Sequence, residues 1–218
     1  MKKPVVLSTI IIALTLTLAV YLLLRPRQSP QNIISHAKSL LLSSPGWKFE
    51  ESINCSDTYA LIRGNVSLNT HEISSSILLI PKFGTPQVYI LFANATDSFI
   101  NYEGGWIRSG GGWKEEDILL FRLLETAGNT TEVYDQVIGE KLKIVFNSTC
   151  QDSCLKAFEA ISAITGTSIP RPSHVFGEIT FSPSGKPQTV LAVFKSQNGR
   201  CILKYDLSYN DTLYILKP

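Results

Sequence analysis

The chain has 218 residues, of which 44% are hydrophobic and 17% charged, with a formal net charge of +2. Lys2, Lys3, Arg25 and Arg27 precede residue 28, whereas all 18 acidic residues follow it, so the remainder sets 16 basic against 18 acidic side chains, about −2. That balance excludes a nucleic-acid partner, and the 190 residues from Ser29 onward suffice for one substantial core without division.

Val5 to Leu24 is a run of twenty uncharged residues interrupted only by Ser8, Thr9, Thr15 and Thr17, enough for a helix to cross the hydrocarbon of a bilayer. Its apolar core runs through Tyr21 and three leucines directly into Arg25, without the shorter core and small-residue exit of a cleaved signal peptide. Residues 1–28 are therefore read as a retained single-pass anchor, with a signal segment as the alternative, residues 5–24 in the membrane and 29–218 as one domain. Basic residues on both flanks leave the orientation undecided. Six Asn-x-Ser/Thr acceptors, at Asn54, Asn65, Asn94, Asn129, Asn147 and Asn210, all follow the apolar run. They predict an extracellular, N-glycosylated C-terminal domain, and four cysteines in that part suit an oxidising compartment.

Ser29-Pro30 supplies a capping hydroxyl and a first-turn proline for a helix that puts Ile33, Ile34, Ala37, Leu40 and Leu41 on one face and ends at Ser44-Pro45-Gly46. The period then changes to two, which predicts strands over 47–55, 58–69, 72–80, 87–94 and 98–109, the last broken by a turn at Glu103-Gly104-Gly105. A second helix is expected from about Glu115, with Glu115, Glu116 and Asp117 in its first turn against the helix dipole, a stripe of Leu120, Leu123, Leu124 and Ala127, and Gly128 as its stop. Residues 131–146 read as strand, 151–165 as a third helix ending at Gly166, and 174–182, 188–196, 199–208 and 212–216 as further strands. This order describes an α+β domain dominated by one large antiparallel sheet.

Strand parity places the sequons. Asn54 shares its face with Lys48, Glu50 and Ser52, Asn65 with Arg63, Asn147 with Lys143, and Asn210 with Lys204 and Asp206, as a solvent-facing glycan requires. Asn94 does not fit, because its parity carries Val88, Ile90 and Phe92, so that strand either ends first or contains a bulge. Cys55 and Cys201 fall on the opposite, inward parity and can meet in the core if their strands are neighbours. That leaves Cys150 and Cys154 as a local pair, which implies an irregular turn before the third helix, since i and i+4 side chains of a regular helix stand wider apart than a disulfide allows.

No catalytic constellation, metal site or cofactor is expected: His36, His71 and His174 stand in no recognisable nucleophile motif, and no histidine pair has ligand spacing. Trp106 and Trp113, bracketing three glycines, either stack on a sugar or close the edge of a core.

Two stretches resemble the LolA/LolB and LppX/LprG group of lipoprotein carriers and lipid-binding lipoproteins. The first is Tyr102-Glu103-Gly104-Gly105-Trp106 with Gly112-Trp113-Lys114. The second runs from Val137-Ile138-Gly139-Glu140 through Ile169-Pro170-Arg171-Pro172, Val175 to Phe181 and Ser184-Gly185-Lys186 to Leu207-Ser208-Tyr209 and Leu216-Lys217-Pro218. The resemblance implies a curved, unclosed antiparallel half-barrel of about 9–11 strands wrapped around about three helices, non-enzymatic, with a hydrophobic cavity for a lipid or other acyl ligand. On the inward strand faces that cavity would be lined by Ile62, Val66, Leu142, Ile144, Ile179, Phe181 and Leu203; residue type alone does not separate such a cavity from the packed core of a structural surface protein. The chain departs from the group in having no cysteine before Cys55 to carry a lipid, so a fixed acceptor is expected rather than a shuttle.

Overall fold

The structure is a computed structural model that describes residues 29–114, 117–130, 132–138 (backbone only), 141–209 and 212–218. The expected membrane anchor lies outside these residues, as do Glu115, Glu116 and Asn210. Among the described residues no helix is long and apolar enough to cross a membrane.

Helix α1 (Pro30–Leu42) starts as its sequence dictates: the Ser29 hydroxyl accepts from the Asn32 amide at 3.2 Å, and Ile33, Ile34, Ala37 and Leu41 form the buried face. Gly46 then turns the chain into β1 at φ +147°, where a Cβ would stand 2.0 Å from the Val66 carbonyl oxygen. Strands β1 (Gly46–Cys55), β2 (Thr58–Ser67), β3 (Glu72–Pro81), β4 (Gln87–Ala93), β5 (Asp97–Tyr102) and β6 (Gly105–Gly111) form a meander. Helix α2 (Leu119–Gly128), β7 (Glu132–Ile138), β8 (Lys141–Thr149), α3 (Ser153–Thr165), β9 (His174–Phe181), β10 (Pro187–Ser196) and β11 (Gly199–Ser208) follow.

All eleven described strands join one antiparallel sheet in the order β6-β5-β4-β3-β2-β1-β11-β10-β9-β8-β7. The last strand returns beside the first, so the sheet grows outward in both directions from a central β1–β11 pair, and its two ends, β6 and β7, do not meet. This is the open half-barrel and α+β class expected, with the three described helices on the inner face. Trp47 of β1 meets Phe121 of α2 edge-on at 6.2 Å, and Phe158 of α3 meets Phe194 of β10 at 5.8 Å.

Three local expectations are corrected, and one left open is resolved. The second helix begins at Leu119, not near Glu115, with no acid in its first turn. Asp117 precedes it and closes a turn instead: its carboxylate accepts from the Lys114 amide at 3.0 Å, and its own amide donates to the Lys114 carbonyl. Local side-chain hydrogen bonding of an aspartate has outcompeted helical continuation. The single strand over 131–146 is a hairpin, β7 paired with β8 from Glu132↔Asn147 to Ile138↔Lys141. Residues 212–216 are not a strand. They belong to a C-terminal strap, residues 212–218, that runs back over the outer sheet face, where the Leu216 amide donates to the Ser74 hydroxyl. Finally, β4 ends at Ala93, which resolves the Asn94 ambiguity in favour of strand termination.

The register also explains why β4 misled. Ile90 lies opposite Ser76, which lies opposite Arg63 and, beyond it, Glu50. The even residues of β4 therefore share the outer face with those charges despite being apolar, and Tyr89 and Leu91 point inward. A strand apolar on both faces carries no parity signal.

Candidate functional site

The cysteines pair as their parity predicts. Cys55 and Cys201 are directly opposed in the β1–β11 ladder and bonded, and Cys150 is bonded to Cys154. The irregular turn required by the second bond is present at Asp152, with φ +36°. No cysteine is free, which suits an extracellular or secreted domain.

Beside the first disulfide, Asp57 in the β1–β2 turn gathers the segment that follows α3. Its carboxylate accepts from the Thr167 hydroxyl at 2.6 Å and from the Ser168 amide and hydroxyl, both at 2.8 Å. Burial works to raise the Asp57 pKa, but these hydrogen bonds outweigh it and hold the carboxyl below its usual range. α3 stops one residue before Gly166, which adopts the left-handed conformation at φ +62°. Asp57 and Gly166 together fix the C-terminal end of α3 in front of β3, β4 and β5.

Between that helix end and the sheet lies an apolar cleft of about 390 Å³, bordered by Ile77 and Leu79 of β3, Tyr89 and Leu91 of β4, Ile100 of β5, and Ala163, Ile164 and Gly166. It exists because the β4–β6 wing extends beyond the helical layer. Tyr89 stacks on Tyr102 at 5.3 Å at one end of the wall, with its hydroxyl donating to Gln87, and Ile107 on the inner face of β6 is 65% exposed. Among the described residues no charged side chain borders the cleft. Near its rim the Glu103 carboxylate raises the Tyr102 pKa, which keeps the phenol protonated and neutral. At the tip of the β3–β4 hairpin, whose inner face forms this wall, Phe83 is 86% exposed. The volume falls within the range of small-molecule pockets, roughly 300–1,000 Å³.

The seven residues expected to line a cavity are placed differently. Ile62, Val66, Ile144, Ile179, Phe181 and Leu203 are fully or almost fully buried on the inner face, with Leu142 half-buried against them, in the core that α2 and α3 cover. The apolar cleft lies on the neighbouring strands β3–β5 instead, at residues not expected from the sequence. Inward parity of Tyr89 and Leu91 was a signal for them, masked by the apolar outer face of the same strand.

A second feature missed from sequence is Glu51, on inward parity between Phe49 and Ile53. It is 3% exposed, opposite Tyr205 and Ile62, and its Oε1 has no hydrogen-bond partner. Burial pushes its carboxyl up to about 8, so it is held neutral across most of the physiological range. Burial and then the Glu51 charge also raise the Tyr205 phenol well above its usual value.

The remaining candidates have structural roles. Trp113 is buried and stacks on His71 at 4.3 Å, each closing on the other's backbone: the Trp113 indole donates to the His71 carbonyl at 3.2 Å, and His71 Nε2 lies 3.1 Å from the Trp113 carbonyl. It closes the edge of the core, whereas Trp106 stands half-buried on the outer face opposite Asn101. His174 Nδ1 lies 3.1 Å from the hydroxyl of its neighbour Ser173, and His36 is exposed on α1. Among the described residues no cluster of three or more His, Cys, Asp or Glu side chains could hold a metal ion. Of the sequons, Asn54, Asn129 and Asn147 are exposed and Asn94 is half-buried, its Oδ1 accepting from the Thr96 and Asp97 amides. Asn65 is half-buried with its amide nitrogen engaged.

No protein-family model matches the sequence, and no curated protein matches it. The fold does have a solved counterpart. The crystal structure of LprF from Mycobacterium bovis superposes with a TM-score of 0.54 at 10% sequence identity, covering 88% of this chain and 98% of that one. An uncharacterized conserved protein from Thermus thermophilus matches at a TM-score of 0.45 and 11% identity, over 85% of this chain and 90% of its own. The LppX/LprG-like fold implied by the sequence resemblance is thus the fold found.

Proposed function

We propose that the domain is a non-enzymatic binding protein that holds a lipid or other acyl ligand in the cleft between α3 and the β3–β5 wall. The observation that carries this reading is the cleft's composition: a pocket-sized, uncharged, largely aliphatic space left open where the sheet outruns its helices. Burying a chain there removes apolar surface of both partners from water, at roughly 25 cal/mol per Å². The tyrosine pair at one end offers hydroxyls to a polar head without a charge to desolvate. On this reading residues 5–24 tether the domain to the outer side of a membrane, and sugars at its exposed sequons offset a low surface charge. It then acts as a fixed acceptor.

The test is uptake of a fluorescent fatty acid by the intact protein and by Leu91→Trp and Ile164→Trp, with mass analysis of whatever co-purifies. Either indole fills part of the cleft from its wall, so both variants should lose probe binding at least tenfold while melting within a few degrees of the parent. If the parent takes up no acyl probe and yields no amphiphile, a packed structural domain replaces the carrier reading.

A further inference from the structure

The C-terminal strap crosses the outer face of three strands and is fastened at each. Lys48 of β1 lies 5.8 Å from the Tyr214 ring centroid, Asn65 Nδ2 of β2 donates to the Tyr214 carbonyl at 2.8 Å, and on β3 the Ser74 hydroxyl accepts from the Leu216 amide while Glu72 pairs with Lys217 at 2.5 Å. The middle fastening uses the one atom of Asn65 to which a sugar can be joined. The Asn65 Oδ1 is itself buried without a partner, so the half-buried carboxamide is held against the strap by its nitrogen. The hydroxyl that completes this sequon, on Ser67, is buried too and accepts from the Thr70 hydroxyl at 2.8 Å and the Thr70 amide at 3.4 Å.

We infer that strap docking and glycan attachment at Asn65 are mutually exclusive states, so that the folded domain keeps this sequon closed and a sugar placed there releases the strap. Transfer from a lipid-pyrophosphate-linked oligosaccharide joins Nδ2 to the anomeric carbon, the pyrophosphate leaves with the old bonding pair, and Nδ2 gives up one proton. That reaction needs an accessible amide and the hydroxyl two residues on, and both are occupied within the fold. Once made, the bond puts a sugar ring into the space through which the strap's backbone runs.

The experiment compares the full chain with Leu216→Pro/Lys217→Glu, which removes the Ser74 and Glu72 fastenings without touching the sequon. Both are produced in a glycosylating host and mapped for glycopeptides, with exposed Asn147 as the internal control for modification. Amide exchange at Leu216 is followed in the full chain. Expected is an unmodified Asn65 in the full chain and a modified one in the variant. Where the full chain does carry sugar at Asn65, those molecules should exchange the Leu216 amide at least about tenfold faster than unmodified ones. Sugar at Asn65 with the Leu216 amide still protected overturns the inference. So does an Asn65 that stays unmodified in both chains while Asn147 is occupied, because something other than the strap then closes the site.

Discussion

Replacing Glu51 with glutamine should abolish a pH dependence that this single buried carboxyl imposes on the fold. Its pKa rises from an ordinary 4.5 to about 8 on burial, so the unfolded chain releases a proton that the folded one retains. Any stability referred to the protonated side chain is fully present below about pH 4.5, declines as pH rises, and is lost by the time pH passes 8. Each pKa unit of difference is worth about 1.4 kcal/mol, which gives a penalty on the order of 1 kcal/mol at pH 5, about 3 at pH 7 and between 4 and 5 above pH 8. Glutamine has the same shape and no charge, although its buried amide brings hydrogen-bonding groups of its own that cost roughly 1–3 kcal/mol if unpartnered. The absolute gain at neutral pH is therefore smaller than the electrostatic figure, but the slope is not affected by that offset. Urea titrations of wild type and Glu51→Gln at half-unit steps from pH 5 to 8.5, with the disulfides intact, isolate the difference curve, in which all other titrating groups cancel. It should change by about 4 kcal/mol in favour of glutamine across that range. Parallel curves would refute the reasoning, since Glu51 would then ionise as freely in the folded state as in the unfolded one.

Three further outcomes are expected. Val66→Trp and Ile144→Trp, both at fully buried positions, should lower stability by roughly 1–3 kcal/mol or more through overpacking, unlike the cleft variants, and thermal melts separate the two groups. Asp57→Ala should cost about 1–3 kcal/mol by leaving the buried Thr167 hydroxyl without its acceptor and should loosen the helix end that borders the cleft. Because the folded Asp57 pKa is depressed, its contribution is present above the ordinary carboxyl pKa and disappears as pH falls through the folded value, so wild type and variant should converge in acid. Among the disulfides, Cys55–Cys201 spans 146 residues and Cys150–Cys154 only 4. Chain-entropy arguments then give about 5 kcal/mol for the first against about 2 for the second; paired serine substitutions and urea midpoints should reproduce that order, and its reversal would show that native-state effects dominate.

Elements whose chemistry is local were legible in the order of residues. Alternation over 47–55 and 199–208 fixed which face of β1 and β11 is wet and put Cys55 and Cys201 on the same inward side, while the pairing of β1 with β11 brought them together. The Ser29-Pro30 cap and the Gly166 stop set their helix ends because each satisfies or frees backbone groups within a few residues. Local chemistry also misled where two short-range solutions compete: Asp117 closes a turn back on Lys114 and delays α2, and no periodicity marks the hairpin that divides β7 from β8. Where the apolar cleft opens depends instead on packing between distant segments. Ile62 and Leu91 are alike as inward aliphatic residues, but α3 covers the first and stops short of the second, and how far a helix reaches across a sheet depends on contacts such as Asp57 with Ser168, 111 residues apart. The same holds for Asn65, a sequon indistinguishable in sequence from Asn54 and yet closed by a strap almost 150 residues later in the chain. Periodicity reports which face of a strand is covered. What covers it is settled by long-range packing that no short window of sequence contains.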